Sequence, residues 1–278
     1  MYLTGFADEA GASIEAQIAA TRELGWSFIE SRNIGGINIH DLPESEFERV
    51  ASLLEASGVR INCFGSTIAN WGCQVTDPFD ETVARIERAI PRMQRLGCEL
   101  VRIMSYAVRK DEQGNDDADQ MAPERFRRVR EIVRRFTDAG LIPVHENCMN
   151  YGGMSHRHTL ELLDQVPGLK LVFDTGNPVF TDDRSKPPPH PKQSAWEFYR
   201  NVREHIAYLH IKDGVFVANR PGQTFPETTF TFAGEGDGDV KRIVKDLLDN
   251  GYDGGISMEP HLAVVFHDAS ITSADEIK

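Results

Sequence analysis

The chain has 278 residues, 40% hydrophobic and 26% charged, with a formal net charge of −13. That length supports one large core, either a single α/β barrel or two smaller domains. The charge repels phosphate backbones and so disfavours nucleic-acid and anionic-membrane partners.

Strand-like and helix-like stretches alternate from the start. Tyr2–Ala7 reads as a strand, and Ser13–Leu24 as a helix with Ile14, Ile18 and Leu24 near one face. Ser27–Ser31 is the second strand. Pro43 and the acidic run 44–48 open a helix through Leu54 that Gly58 ends. Val59–Gly65 is the third strand, Glu81–Leu96 a long helix closed by Gly97, and Leu100–Ser105 the fourth strand. A polar surface loop is expected over 107–121. Helix Glu124–Ala139, strand Ile142–Glu146, helix His158–Val166 and strand Leu169–Asp174 follow. The segment 176–194 carries Pro187, Pro188, Pro189 and Pro191, so it predicts an ordered loop or a mobile lid rather than a helix interior or central strand. Helix Ala195–His205 leads to the seventh strand, Ile206–Ile211. A second long loop, 213–238, carries Phe216, Phe225, Phe230 and Gly-Glu-Gly-Asp-Gly at 234–238. Helix Val240–Asn250 and strand Gly255–Glu259 end the alternation.

Eight strands alternating with helices, without a linker or composition break, predict a single domain over 1–278 with an α/β (β/α)8 barrel fold. Only 16 residues follow Leu262, so the eighth helix is expected to be short or missing. The four cysteines show no Cys-x-x-Cys spacing and read as reduced thiols. No signal-like segment follows Met1 and no apolar run approaches ~18 residues, so a soluble cytoplasmic protein is expected.

The chemistry lies at strand ends. Apolar runs deliver Glu146, Asp174, His210 and Glu259, one each on strands five to eight, and barrel enzymes place their chemistry at those ends. Carboxylates inside such strands are costly unless paired or metal-bound. Three carboxylates and an imidazole without a thiolate make a hard site for one divalent ion, Mn2+ first, with Mg2+ or Co2+ as alternatives. Around this set, Glu30 and Arg32 share a face of strand two and are candidates to bind substrate, or to form a rim salt bridge. Lys212 shares the face of His210, as a catalytic group or as a partner of Asp213. His145 is a catalytic candidate if the strand end bends, because strict alternation points it away from the barrel centre. Asn177, Glu235 and His261 are further substrate-binding candidates. Trp71, Tyr151 and Phe216 are loop aromatics able to stack on a sugar.

With these residues placed, the chain resembles the xylose isomerase-like barrel superfamily, in particular its sugar (phosphate) isomerase and epimerase branch. The resemblance rests on the Glu of Val-His-Glu-Asn, the Asp of Phe-Asp-Thr-Gly-Asn, the His of Leu-His-Ile-Lys-Asp and the Glu of Ser-Met-Glu-Pro. In family order these look like the metal ligands of the ketose 3-epimerases. The resemblance implies that Glu146 and Glu259 serve both as ligands and as the acid–base pair on opposite sides of the substrate carbon. Two departures stand out. Asn177 replaces a typical substrate-binding His, and no Arg matches the one downstream of the metal His, a role left to Lys212. The branch also includes inosose and dehydroshikimate dehydratases and enzymes that cleave 3-keto-glycosides.

The expected function is a metal-dependent sugar isomerase or epimerase acting by proton abstraction next to a carbonyl, through a metal-stabilised enediolate. Alternatives are a lyase or dehydratase acting on an inosose or a 3-keto-glycoside, including C-glycoside cleavage, and an inactive sugar-binding barrel. The expected partners are a small sugar or keto-sugar and, through loops 176–194 and 213–238, a second copy or a partner subunit.

Overall fold

The computed structural model describes residues 1–219 and 226–261. Eight short strands form its centre: β1 (Tyr2–Gly5), β2 (Phe28–Ser31), β3 (Arg60–Gly65), β4 (Leu100–Ile103), β5 (Ile142–Glu146), β6 (Lys170–Asp174), β7 (Ile206–Ile211) and β8 (Gly255–Met258). All pair in parallel in the order β1-β8-β7-β6-β5-β4-β3-β2. A parallel bridge between Phe6 and Glu30 joins the two ends and brings the sheet round into a barrel. Strands covered on both faces read as near-continuous apolar runs, which is why these segments carry so little polar alternation.

Seven helices follow the first seven strands: α1 (Ile14–Glu23), α2 (Glu44–Ser57), α3 (Phe79–Leu96), α4 (Ala122–Asp138), α5 (His156–Gln165), α6 (Ala195–Val202) and α7 (Val240–Asp249). The Ser13, Ser155 and Ser194 hydroxyls accept from backbone N–H groups in the first turns of α1, α5 and α6. Because Ser155 is the cap, α5 begins two residues before the expected His158. Gly58 and Gly97 end α2 and α3 in the left-handed region that glycine adopts without strain. The main core lies between strands and helices, where Ile61, Val101 and Ile103 pack with Phe47, Ile86, Val129 and Phe136. Inside the barrel, Cys63, Val144, Val172 and Tyr208 form a smaller plug. No helix of the described residues is long and apolar enough to cross a membrane.

Two loop expectations change. The 213–238 segment is not plain loop: Gly214–Ala218 and Glu227–Phe230 pair as an antiparallel ribbon, which Val, Thr and Phe favour. The 176–194 segment opens with a single helical turn, Asn177–Phe180, and is tied down by an Arg184–Asp116 ion pair and a bond from Arg184 N–H to the Met154 carbonyl. The short-or-missing eighth helix and Phe225 lie outside the described residues.

Candidate metal centre

Side chains along a strand alternate, so Val144 and Glu146, Val172 and Asp174, and Tyr208 and His210 point the same way, apolar or aromatic below and ligand-competent above. Glu146, Asp174, His210 and Glu259 come together, each offering one ligand atom, with these atoms all within 4.8 Å of one another. All four are buried. One Asp174 oxygen, Oδ1, accepts from the backbone N–H groups of Gly176 and Asn177 at 2.8 and 2.7 Å. The other, Oδ2, makes no well-aligned hydrogen bond, and neither does His210 Nδ1 or Glu259 Oε2; these atoms meet one another and Lys212 as ion pairs. Nδ1 lies 3.4 Å from Glu259 Oε2 and 4.0 Å from Asp174 Oδ2. Buried ligand-competent atoms that converge in this way form a place where a cation can be shared among them. The donor set, hard oxygens with one imidazole, fits a divalent ion of the Mg2+ or Mn2+ type.

Cations of the chain surround the cluster. Lys212 Nζ is 3.0 Å from Asp174 Oδ2 and 3.2 Å from Glu259 Oε2. Burial opposes its charge, yet Asp174, Glu259 and Glu146 hold its pKa above the ordinary lysine value. The partner of Lys212 in the structure is the cluster rather than Asp213. Burial pushes the Asp174 carboxyl up to about 6, against the pull of Lys212. Burial acts the same way on Glu259, but the neighbouring Lys212 and His210 outweigh it and keep that carboxyl well below the usual range. Negative charge thus settles first on Glu259. Burial also lowers the His210 imidazole, and Glu30 reverses this and raises it to about 10. As a ligand of a divalent ion, His210 would have to give up that proton.

Arg102, which the sequence reading passed over, donates from Nη1 to Glu146 Oε2 at 3.0 Å. Asn177 Nδ2 donates to Glu146 Oε1 at 2.9 Å, and Asn177 Oδ1 is 3.3 Å from Lys212 Nζ. Arg32 does not pair with Glu30. It forks onto Asp8, Nε to Oδ2 at 2.9 Å, and reaches Glu259 Oε1 from Nη1 at 3.2 Å. Glu9 holds His261 Nδ1 at 2.8 Å, and His261 Nε2 faces Glu259 Oε1 at 3.7 Å. Asp8 and Glu9 were also missed. They follow the first strand directly, so the strand-end rule that found the ligands extends to them.

Three sequence candidates sit elsewhere. The His145 ring faces the outer layer, with Nε2 3.0 Å from Ser105 Oγ and 2.9 Å from Asn150 Oδ1. The strand does not bend, alternation holds, and burial pulls the imidazole down to about 4. Glu30 is fully buried beneath His210 and binds Tyr208 and His210. Glu235 is exposed. Its glycine-rich turn is organised around Asp213, whose carboxylate accepts from the N–H groups of Gly214, Gly234, Gly236 and Gly238. Of the loop aromatics, Tyr151 is buried with its hydroxyl on Glu161, Phe216 lies under Lys192, and Trp71 is 36% exposed.

The sequence matches the family described as xylose isomerase-like TIM barrel over residues 18–273. The chain belongs to the xylose isomerase-like TIM barrel family. Solved structures of similar fold include a xylose isomerase-like TIM barrel protein from Mycobacterium smegmatis in complex with magnesium, at TM-score 0.68 and 18% identity, covering 93% of this chain and 89% of that one. A probable 3-DHS dehydratase, AsbF, from Bacillus anthracis has TM-score 0.68 and 18% identity over 93% and 92% of the two chains. A D-psicose 3-epimerase with D-tagatose from Clostridium cellulolyticum H10 has TM-score 0.63 and 17% identity over 94% and 85%. At these identities the likeness is one of fold. The comparison with curated proteins gave no match.

Proposed function

We propose that this family member is a divalent-metal-dependent sugar isomerase or epimerase that moves a proton on the carbon next to a carbonyl. The observation that carries the reading is the cluster of Glu146, Asp174, His210 and Glu259, with Asp174 Oδ2, His210 Nδ1 and Glu259 Oε2 buried and converging beside Lys212. A divalent ion, Mn2+ in the first instance, held by these four residues supplies Lewis-acid polarisation of the substrate carbonyl. Glu146 and Glu259 supply the acid–base pair. Each is held by an arginine, Arg102 on Glu146 and Arg32 on Glu259, which fixes the direction of its oxygens. An arginine-paired carboxylate is a weak base, so it suits a C–H bond that has already been made acidic. Lys212 and Asn177 present N–H donors to hydroxyls or to developing negative charge. Return of the proton to the opposite face gives epimerisation, and return to the adjacent carbon gives isomerisation.

Elimination is the second reading. It is favoured by the ribbon beside the centre, where the Phe230 ring packs edge-on against Phe180 and His261, with centroids 5.3 and 5.1 Å away. Such a wall suits the aglycone of a keto-glycoside. One experiment separates the readings: metal-loaded protein in D2O with free ketoses, inososes and 3-keto-glucosides. Deuterium in recovered ketose is the expected result. Aglycone release or dehydration with inert ketoses transfers the assignment to the lyases, and no exchange with any compound leaves a sugar-binding barrel.

A further inference from the structure

We infer that Tyr208, acting through Glu30, is a positioning residue that sets the orientation of the His210 imidazole and with it the affinity of the centre for a divalent ion. This rests on the metal-binding reading above. Tyr208 lies two residues before His210 on β7, on the same face and one layer deeper in the barrel. Its hydroxyl donates to Glu30 Oε2 at 2.8 Å, and Glu30 receives His210 Nε2 at 3.0 Å. Behind the tyrosine, Asn62 Nδ2 donates to the same hydroxyl at 2.9 Å, and Asn62 Oδ1 accepts from Thr4 Oγ1 at 2.9 Å. The chain of bonds therefore runs Thr4, Asn62, Tyr208, Glu30, His210, from the barrel floor to the ligands.

Its burial gives this chain its force. Thr4, Glu30, Tyr208 and His210 are each 0% exposed, so no solvent competes for these groups. A carboxylate at that depth is costly, and a barrel floor is ordinarily filled by apolar side chains. Among the described residues Glu30 meets no arginine or lysine at hydrogen-bonding distance; it meets the ring N–H and the phenol. By holding Nε2 it turns Nδ1 toward Asp174 Oδ2 and Glu259 Oε2, the side of the other candidate ligands. An imidazole held at its far nitrogen reaches a metal pre-aimed, and such outer partners commonly change metal affinity by about 10–100-fold. The tyrosine in turn keeps Glu30 from rotating away.

Glu30→Gln and Tyr208→Phe test the inference, with Asp174→Ala as the control for the centre itself. The readouts are the Mn2+ dissociation constant of chelator-treated protein by calorimetry, the Co2+ absorption spectrum, and the melting temperature of the metal-free protein. Mn2+ binding is expected to weaken about 10–100-fold in Glu30→Gln and about tenfold in Tyr208→Phe. The Co2+ bands should shift in both. If the bonds only stabilise the fold, the metal-free melting temperature falls while the dissociation constant and Co2+ spectrum stay at wild type, and the inference is overturned. Should Glu30→Gln fail to fold, Tyr208→Phe, which loses one hydroxyl, decides alone. Wild-type protein that binds no ion, or Asp174→Ala that binds as tightly, overturns the functional reading and the inference together. Loss of binding in Asp174→Ala with unchanged affinity in the tyrosine and glutamate variants overturns the inference alone.

Discussion

On the proposed reading Glu146 and Glu259 carry the heaviest chemical demand in the site, because each would both hold an ion and move a proton. An amide keeps the shape and a weak donor oxygen but takes no proton at neutral pH. Glu146→Gln and Glu259→Gln are therefore expected to lose substrate C–H exchange by about 10²-fold or more while retaining measurable metal. Deuterium exchange near the wild-type rate in either metal-bound variant would show that the base lies elsewhere. The four cluster residues were legible in the sequence because each closes an apolar run with a group that has no cheap reason to be there. Arg102 follows the same logic inside Leu-Val-Arg-Ile, but a search for metal-binding groups does not stop at a cation. Glu30 was read only as sharing a face of strand two with Arg32, because its depth below His210 depends on the stagger between β2 and β7. That stagger is a property of barrel closure and has no local signature.

At the scale of elements, the glycine-rich turn and β5 each make a prediction. The turn at 234–238 resembles an anion-binding loop, and it is one whose anion belongs to the chain. Asp213 takes four backbone N–H groups, three of them from the turn. Asp213→Ala is expected to cost about 3 kcal/mol or more, since several donors lose a charged acceptor at once. Urea unfolding with a wild-type midpoint would contradict this. On β5, period-2 alternation decided against His145 as a site residue, and its burial makes a pH test. The folded imidazole has its pKa depressed from 6.5 to about 4. The folded state thus favours the neutral ring, and this contribution is complete above pH 6.5 and lost as pH falls toward 4. Its size is about 3 kcal/mol, from a pKa difference of that order. Stability of wild type relative to His145→Gln should decline across that window. A difference between the two that is flat in pH there contradicts the assignment. The ribbon after β7 was less legible, because its strands are short and their pairing partner is across a loop.

The barrel as a whole was readable because strand–helix alternation leaves few ways to bury eight apolar runs, whereas the joining of β1 to β2 through Phe6 and Glu30 is a long-range pairing. The same closure gathers Glu146, Asp174 and Glu259, with Glu30 beneath His210, into one small volume of a chain whose net charge is −13. A divalent ion relieves that repulsion only in the folded state, so it should stabilise the molecule by mass action. At a free Mn2+ concentration 100 times the dissociation constant the gain is about 2.7 kcal/mol, which corresponds to a melting-temperature rise of about 5–10 °C. The pH dependence has a definite sign. Without metal, His210 holds its proton up to about pH 10 and Asp174 up to about pH 6. Coordination requires both to be deprotonated, so binding releases one proton between pH 7 and 9 and a second below pH 6. Affinity should therefore rise by up to about tenfold per pH unit from 7 to 9 and more steeply below 6. Calorimetry in two buffers of different ionisation enthalpy counts the protons directly. An affinity that does not change from pH 7 to 9, with no proton released, would mean that the ion does not bind by displacing a proton from His210.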